Sequence, residues 1–220
     1  MPSLRSLPAL LRNEPALTRV VGVPGATLAV ASPAQAFVAS GILRLSERRP
    51  MLLVTATGST AEQLAHDVAV FAGSVGPGLA GADGGPDPAA ARTVEVFPAW
   101  ETLPFERVSP DVGTMGRRLR LLWQLGGEGA APPDVVVAPV KALLQRLGPW
   151  RTAARPVAVA KGQRLEVEGL VETLVAAGYR REPLVEHRGE LAVRGGIVDV
   201  FPSTGDVPVR IDLWGDEVDR

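Results

Sequence analysis

The sequence predicts two architectures in succession: an α/β domain on a parallel sheet over residues 1–149, then a small α+β domain with an antiparallel sheet over 150–220. Three observations predict this. Up to Leu147, short β-branched runs of strand length alternate with segments whose apolar residues recur at helical spacing, the pattern of a parallel sheet covered on both faces. From Pro149 onward one helix is followed by consecutive runs that alternate at period two, as half-buried strands do. Two of those runs, Glu190 to Arg194 and Ile197 to Phe201, flank Gly195-Gly196. That pair suits a two-residue hairpin turn, and a bulge in one bent strand fits as well.

Taken in order, Leu4, Leu7, Leu10 and Leu11 give Ser3 to Arg12 the spacing of a short amphipathic helix. Thr27 to Ala31 reads as a buried strand, and Pro33 to Glu47 as a helix carrying Phe37, Val38, Ile42 and Leu45. Met51 to Thr55 is a second apolar strand. Ser59 or Thr60 is placed to cap the next helix, whose Leu64, Val68 and Phe71 share a face. Gly73 to Ala91 is rich in Gly, Pro, Ala and Asp without periodicity and reads as an insertion loop. Val94 to Phe97 resumes as a strand. Ser109-Pro110 reads as the N-cap and first turn of a helix reaching Leu125, with Met115, Leu119, Leu122 and Leu125 inward and Arg117, Arg118 and Arg120 outward. Asp134 to Ala138 is a strand and Val140 to Leu147 a helix. In the second domain Val157 to Val159 reads as a short strand, Val167 to Gly178 as a helix stopped by Gly178, and Val209, Ile211 and Leu213 alternate with Arg210, Asp212 and Trp214.

Composition excludes several functions. The chain has 220 residues, 46% apolar and 21% charged, with a net charge of −1, which argues against binding nucleic acid by wholesale phosphate neutralisation. Cysteine is absent, so there is no disulfide frame, thiolate metal site or cysteine nucleophile. His66 and His187 lie far apart, which leaves no histidine-based metal or triad site. No run approaches the roughly 18 apolar residues of a membrane span, and the N-terminus has no signal-peptide core, so a cytoplasmic location and no membrane partner are expected.

A phosphate loop needs glycines, a lysine and a Ser/Thr for Mg²⁺. The turn after the first expected strand, Ser32, Pro33, Ala34, Gln35 and Ala36, has none of the glycines, no cation at Gln35 and no ligand at Ala36. The carboxylates Glu182, Glu186, Glu190, Asp212, Asp216, Glu217 and Asp219 read as solvated turn residues rather than a paired acid site. No catalytic residue and no metal ligand is assigned. Trp100, with Leu103 and Phe105, either anchors a partner or stacked bases, or plugs the edge of its own core. Arg180, Arg188 and Arg194 are either ion pairs to nearby glutamates or interface hot spots, and Phe201 closes the same element.

Three stretches occur in order with family-like spacing: Trp100 to Pro110 (WETLPFERVSP), Arg188 to Pro202 (RGELAVRGGIVDVFP) and Pro208 to Val218 (PVRIDLWGDEV). Together they resemble the N-terminal module of the bacterial transcription-repair coupling factor family, and the last two also resemble the excision-repair protein UvrB, whose fold that module shares. The likeness runs from about Leu28 to the end. It implies that residues 1–149 are a P-loop-NTPase-like subdomain with a degenerate phosphate loop at Ser32 to Ala36, Gln35 standing where the lysine would and Ala36 where the threonine would. The DNA-clamping hairpin of UvrB has no counterpart around Phe105 to Asp111. Residues 150–220 would be the small domain that docks UvrA, with Arg180 and Arg194 as the docking arginines, Arg188 and Phe201 beside them, and Ala192 where the UvrB-like pattern has one more arginine.

The family's full-length protein is an ATP-dependent DNA translocase that displaces stalled RNA polymerase and recruits nucleotide excision repair. Its ATP and Mg²⁺, RNA polymerase and double-stranded DNA sites would lie beyond Arg220, which makes the present chain a non-catalytic, cofactor-free fragment. The alternatives are a nucleotide-binding ATPase domain with a divergent loop, or a single-strand nucleic-acid binder using Trp100 and Arg117 to Arg120.

Overall fold

The computed structural model describes residues 4–73, 92–102, 105–127, 131–147 and 156–220. Its helices are α1 (Pro15–Val20), α2 (Gln35–Leu45), α3 (Gly58–Ala72), α4 (Val112–Leu125), α5 (Val140–Leu144) and α6 (Val167–Ala176). Its strands are β1 (Met51–Thr55), β2 (Val94–Val96), β3 (Val135–Pro139), β4 (Arg180–Arg181), β5 (Glu190–Arg194), β6 (Ile197–Phe201), β7 (Val209–Trp214) and β8 (Glu217–Val218). They fall into two compact units, residues 1–99 with 124–147, and residues 100–123 with 148–220. The expected insertion loop lies, beyond Gly73, outside the described residues.

In the first unit the sheet order is β1-β3-β2, all parallel. β3 is buried along its whole length, as a continuous Val-rich run requires. α2 and α3 cover one face through small residues, Ala36, Ala39 and Leu43 from α2 and Ala61, Ala65, Val68 and Ala72 from α3, against Val94, Val96, Val135 and Val137. Those residues recur at helical spacing, but of the expected apolar faces only Val68 is among the fully buried. Phe37, Val38, Ile42 and Leu45 of α2 and Leu64 and Phe71 of α3 are half-buried, because close packing of the helices puts their small residues innermost. On the other face Leu52 and Val54 of β1 are 51% and 53% exposed, so the coverage expected on both faces fails at this strand.

Asp134, just before β3, ties the starts of all three strands. It accepts from Arg49 Nε at 3.3 Å, Arg92 Nη1 at 2.8 Å and the Thr93 backbone N–H at 3.0 Å. Arg49 also donates to the carbonyls of Leu43 and Ser46, closing the end of α2 onto the same knot.

Several local expectations change. Leu4–Asn13 is a 3₁₀ helix containing Pro8, and α1 follows it unannounced by any periodicity. Thr27 to Ala31 is not a strand: its backbone is extended in part but it pairs with no described strand, and an apolar run without a ladder partner stays irregular. α3 is capped by Thr57, whose hydroxyl accepts the Thr60 N–H, rather than by Ser59 or Thr60. α4 is capped by Asp111, whose carboxylate accepts the Thr114 N–H at 2.8 Å, rather than by Ser109.

The second unit holds a five-stranded sheet ordered β4-β5-β6-β7-β8. β5 to β8 are antiparallel in sequence, while the two-residue β4 joins β5 in parallel, so the sheet is mixed rather than purely antiparallel. Gly195-Gly196 makes a tight hairpin, with Arg194 paired to Ile197 and Gly195 at φ +58°. Leu170 and Leu174 of α6 pack on Leu191, Val198, Val200, Ile211 and Val218. α6 stops as expected at Gly178, φ +95°, where Tyr179 N–H reaches Leu174 O and Gly178 N–H reaches Val175 O, the paired bonds of a Schellman cap. Val157 to Val159 is not a strand. Instead the neighbouring stretch, Gly162 to Leu165, exchanges backbone bonds with Asp216 and Val218.

α4 is rotated relative to its expected face. Met115 and Leu125 are exposed, whereas Gly116, Arg118, Leu121 and Leu122 are buried. Two features turn it. A Cβ on Gly116 would lie 2.0 Å from the Ser203 carbonyl oxygen, so the helix backbone rests directly on the β6–β7 connection. Arg118, 2% exposed, places its guanidinium carbon 4.6 Å from the centre of the Trp100 ring. Burial lowers the Arg118 pKa from the ordinary arginine range, with the Glu101 carboxylate acting in the opposite direction.

Candidate partner-docking face

Strand pairing decides which side chains share a face. Across the second sheet the partners Glu190 and Phe201, then Ala192, Asp199 and Arg210, then Arg194, Ile197 and Asp212 form successive rows. These rows lie on the side opposite Leu191, Val198 and Ile211, which pack under α6. Arg180 pairs with Glu190 and so joins the first row.

The four residues singled out in the sequence are in different states. Arg180 donates from Nη2 to Glu190 Oε1 at 3.2 Å. Glu190 is buried and its other oxygen accepts the backbone N–H groups of Glu186 at 2.9 Å and His187 at 2.8 Å. Those two bonds hold the Glu190 carboxyl below the usual range against the opposing effect of desolvation. Arg180 is therefore steered by a fixed carboxylate while its own side chain remains largely in solvent.

Arg188 is built into the fold. Its Nε donates to Gly205 O and its Nη2 to Asp206 Oδ1, both at 2.7 Å, and its guanidinium lies 5.7 Å from the centre of the half-buried Phe201 ring. Arg194 differs from both: its side chain is exposed and makes no hydrogen bond or ion pair with any described residue. Its charged neighbour is Asp199, whose two oxygens are already taken by Arg210 at 2.7 and 2.8 Å. That bidentate bond holds the Asp199 carboxyl below its ordinary range. Ala192, at the position where the UvrB-like pattern has a further arginine, is 2% exposed.

Two features of this face were not singled out in the sequence. The Asp199–Arg210 pair joins residues on adjacent strands and needed the β6–β7 register to be seen. Trp214 stands on the same side as Arg210 and Asp212, a placement the alternation of β7 already implied.

Elsewhere, Ser32 to Ala34 form one 3₁₀ turn and Gln35 opens α2, with Ala36 buried in the first core. Of the Trp100 cluster, Leu103 lies outside the described residues; Trp100 is half-buried against Arg118, and Phe105 is 80% exposed. Arg118 is thereby withdrawn from any nucleic-acid surface. No helix among the described residues is long and apolar enough to cross a membrane.

Residues 157–220 match the family model described as the UvrB interaction domain. The chain is similar to the transcription-repair-coupling factor of Mycobacterium tuberculosis, 39% identical over 196 residues, covering 87% of this chain and 14% of the relative. The corresponding protein of Myxococcus xanthus is 36% identical over 173 residues, 78% of this chain and 13% of the relative. That of Escherichia coli is 37% identical over 121 residues, 54% of this chain and 10% of the relative. The chain thus spans about one seventh or less of the length of these relatives. The resemblance to the bacterial transcription-repair coupling factors drawn from three sequence motifs holds across most of the chain, and its C-terminal sheet carries the UvrB interaction domain.

Proposed function

We propose that this chain is the UvrA-docking module of a transcription-repair coupling factor, acting in the cytoplasm as a non-catalytic adaptor for nucleotide excision repair. The observation that carries the reading is the state of Arg194. On a sheet face whose other arginines are each tied to a carboxylate, Arg194 alone offers an exposed and unused guanidinium, within the segment that matches the UvrB interaction domain. A guanidinium presents five donors in a rigid fork, and arginine is enriched among residues that dominate binding energy. Arg180 supports it from the edge of the sheet, pre-positioned by Glu190, which reduces the ordering cost of binding. Arg188 and Phe201, the latter in the first row of the same face, support it by fixing the β6–β7 connection.

In this reading ATP, Mg²⁺, RNA polymerase and double-stranded DNA are engaged by other parts of a longer protein, a DNA translocase. The turn at Ser32 to Ala36 carries no lysine or hydroxyl at Gln35 and Ala36, and titration of the chain with ATP-Mg²⁺ is expected to give no saturable heat. Saturable micromolar binding would restore the ATPase alternative. The direct test is calorimetric titration with purified UvrA. Arg194→Ala is expected to weaken binding by at least about 1 kcal/mol, and Arg180→Ala by less, with the melting temperature of each unchanged. If both variants bind like the wild type, the docking assignment fails.

A further inference from the structure

Trp214 is 85% exposed, although it belongs to a six-residue strand. It sits one row beyond Asp212, whose own row contains Ile197 and Arg194, and it pairs with Glu217 of β8. Beside it runs the Gly195-Gly196 turn, since Leu213 N–H donates to Gly196 O at 2.7 Å. That turn contributes no side chain to this end of the face, and a Cβ on Gly196 would lie 2.9 Å from the Leu213 carbonyl oxygen. The glycine therefore lets the hairpin lie tight against β7 and leaves the indole standing clear.

Single exposed apolar residues are ordinary on protein surfaces. Here the exposed residue is a tryptophan, on the same face as an arginine that makes no ion pair with a described residue, and Trp and Arg are, with Tyr, the residue types enriched in interface hot spots. An indole offers a large rigid area at little cost in rotamer freedom. Around it Arg210 is held by Asp199 and Arg220 by Asp212. The charges at this end of the face that make no ion pair with a described residue are Glu217, directly across from the indole, and Arg194 in the next row, and it is Arg194 that calls for a carboxylate opposite it.

We infer that Trp214 is the apolar anchor of this face and that its occupant is a protein surface with a carboxylate opposite Arg194 and an adjoining apolar recess that receives the indole. The inference rests on the UvrA-docking reading and adds to it the residue that supplies apolar contact.

The test is titration of the 220-residue chain with purified UvrA, using Trp214→Ala, Trp214→Gln, Trp214→Phe and Arg194→Ala. Both truncations at Trp214 are expected to weaken binding by about 10-fold or more, Trp214→Phe to recover most of it, and thermal melts to be unchanged because the side chain makes little contact with its own fold. If Arg194→Ala weakens binding while Trp214→Ala and Trp214→Gln bind like the wild type, the anchor is refuted and the docking reading stands. If none of the variants weakens binding, the docking reading falls and the anchor with it. Sedimentation in which the wild type self-associates and Trp214→Ala does not would assign the indole to a second copy and overturn the proposed occupant.

Discussion

Replacing Gly116 with alanine sets two opposed effects against each other. In a helix interior free of neighbours the change stabilises by about 1 kcal/mol, because alanine restricts the unfolded chain and favours helical geometry. In α4 the new Cβ would lie 2.0 Å from the Ser203 carbonyl oxygen and 2.5 Å from its carbonyl carbon. A comfortable carbon–oxygen contact is about 3.3 Å, so more than about 1 Å must be made up by moving main chain, since no rotamer can relieve a backbone clash. Overpacking costs about 1–3 kcal/mol, and an overlap of this size belongs at the upper end. The net expectation is a loss of about 2 kcal/mol, which for a chain of this length lowers the melting temperature by about 4–8 °C. Urea unfolding followed by tryptophan fluorescence measures it. Gly58→Ala, at the start of α3 with nothing within 4 Å of its added Cβ, is the control and should be neutral or slightly stabilising. A Gly116→Ala protein as stable as the wild type, or more so, would refute the close packing of α4 on the β6–β7 connection.

Two further outcomes follow from a half-buried carboxylate and a buried guanidinium. Desolvation raises the Asp134 pKa, but the Thr93 N–H, Arg92 and Arg49 outweigh it and leave the carboxyl below its ordinary value. Its stabilisation is therefore complete above the unfolded carboxyl range, near pH 4, and is lost as pH falls below that range through the folded value. The melting-temperature gap between wild type and Asp134→Asn should shrink from pH 6 to pH 3, and a pH-independent gap would count against the knot. Trp100→Ala removes the ring over the buried Arg118 guanidinium; a loss of about 2–3 kcal/mol is expected, read from the urea midpoint, and an unchanged midpoint would refute the packing.

Where the sequence was legible, local chemistry and tertiary demand agreed. Met51 to Thr55 and Asp134 to Ala138 are runs too short for helices; the first is β1 and the second, shifted by one residue, is β3. Gly178 stops α6 because only a residue tolerant of positive φ closes that cap. Thr27 to Ala31 has equal local credentials and fails as a strand, since a strand is defined by the ladder it joins and this segment pairs with none of the described strands. The α4 face was misjudged because a glycine and an arginine look polar in a periodicity count, whereas close backbone approach buries one and an indole buries the other. For the site, the pattern placed Arg194 on the polar side of a hairpin and Arg180 near it. What it could not show is that Arg188 is consumed by Gly205 and Asp206, because those partners lie on a connection whose path no periodicity encodes.

The segment 100–123 belongs to the same compact unit as 148–220, and this has a consequence for how the chain is made. Gly116 leaves the ribosome roughly 90 residues before the Ser203 carbonyl on which it rests. At a synthesis rate of about 5–20 residues per second the wait is roughly 5–20 s, during which Arg118, Leu121 and Leu122 have no finished unit to enter. A docking fragment cut at residue 148 would carry the hairpin but lack its support at Gly116 and Val112. Expressed alone, it should be the piece that aggregates, and adding residues 100–123 in trans should rescue it.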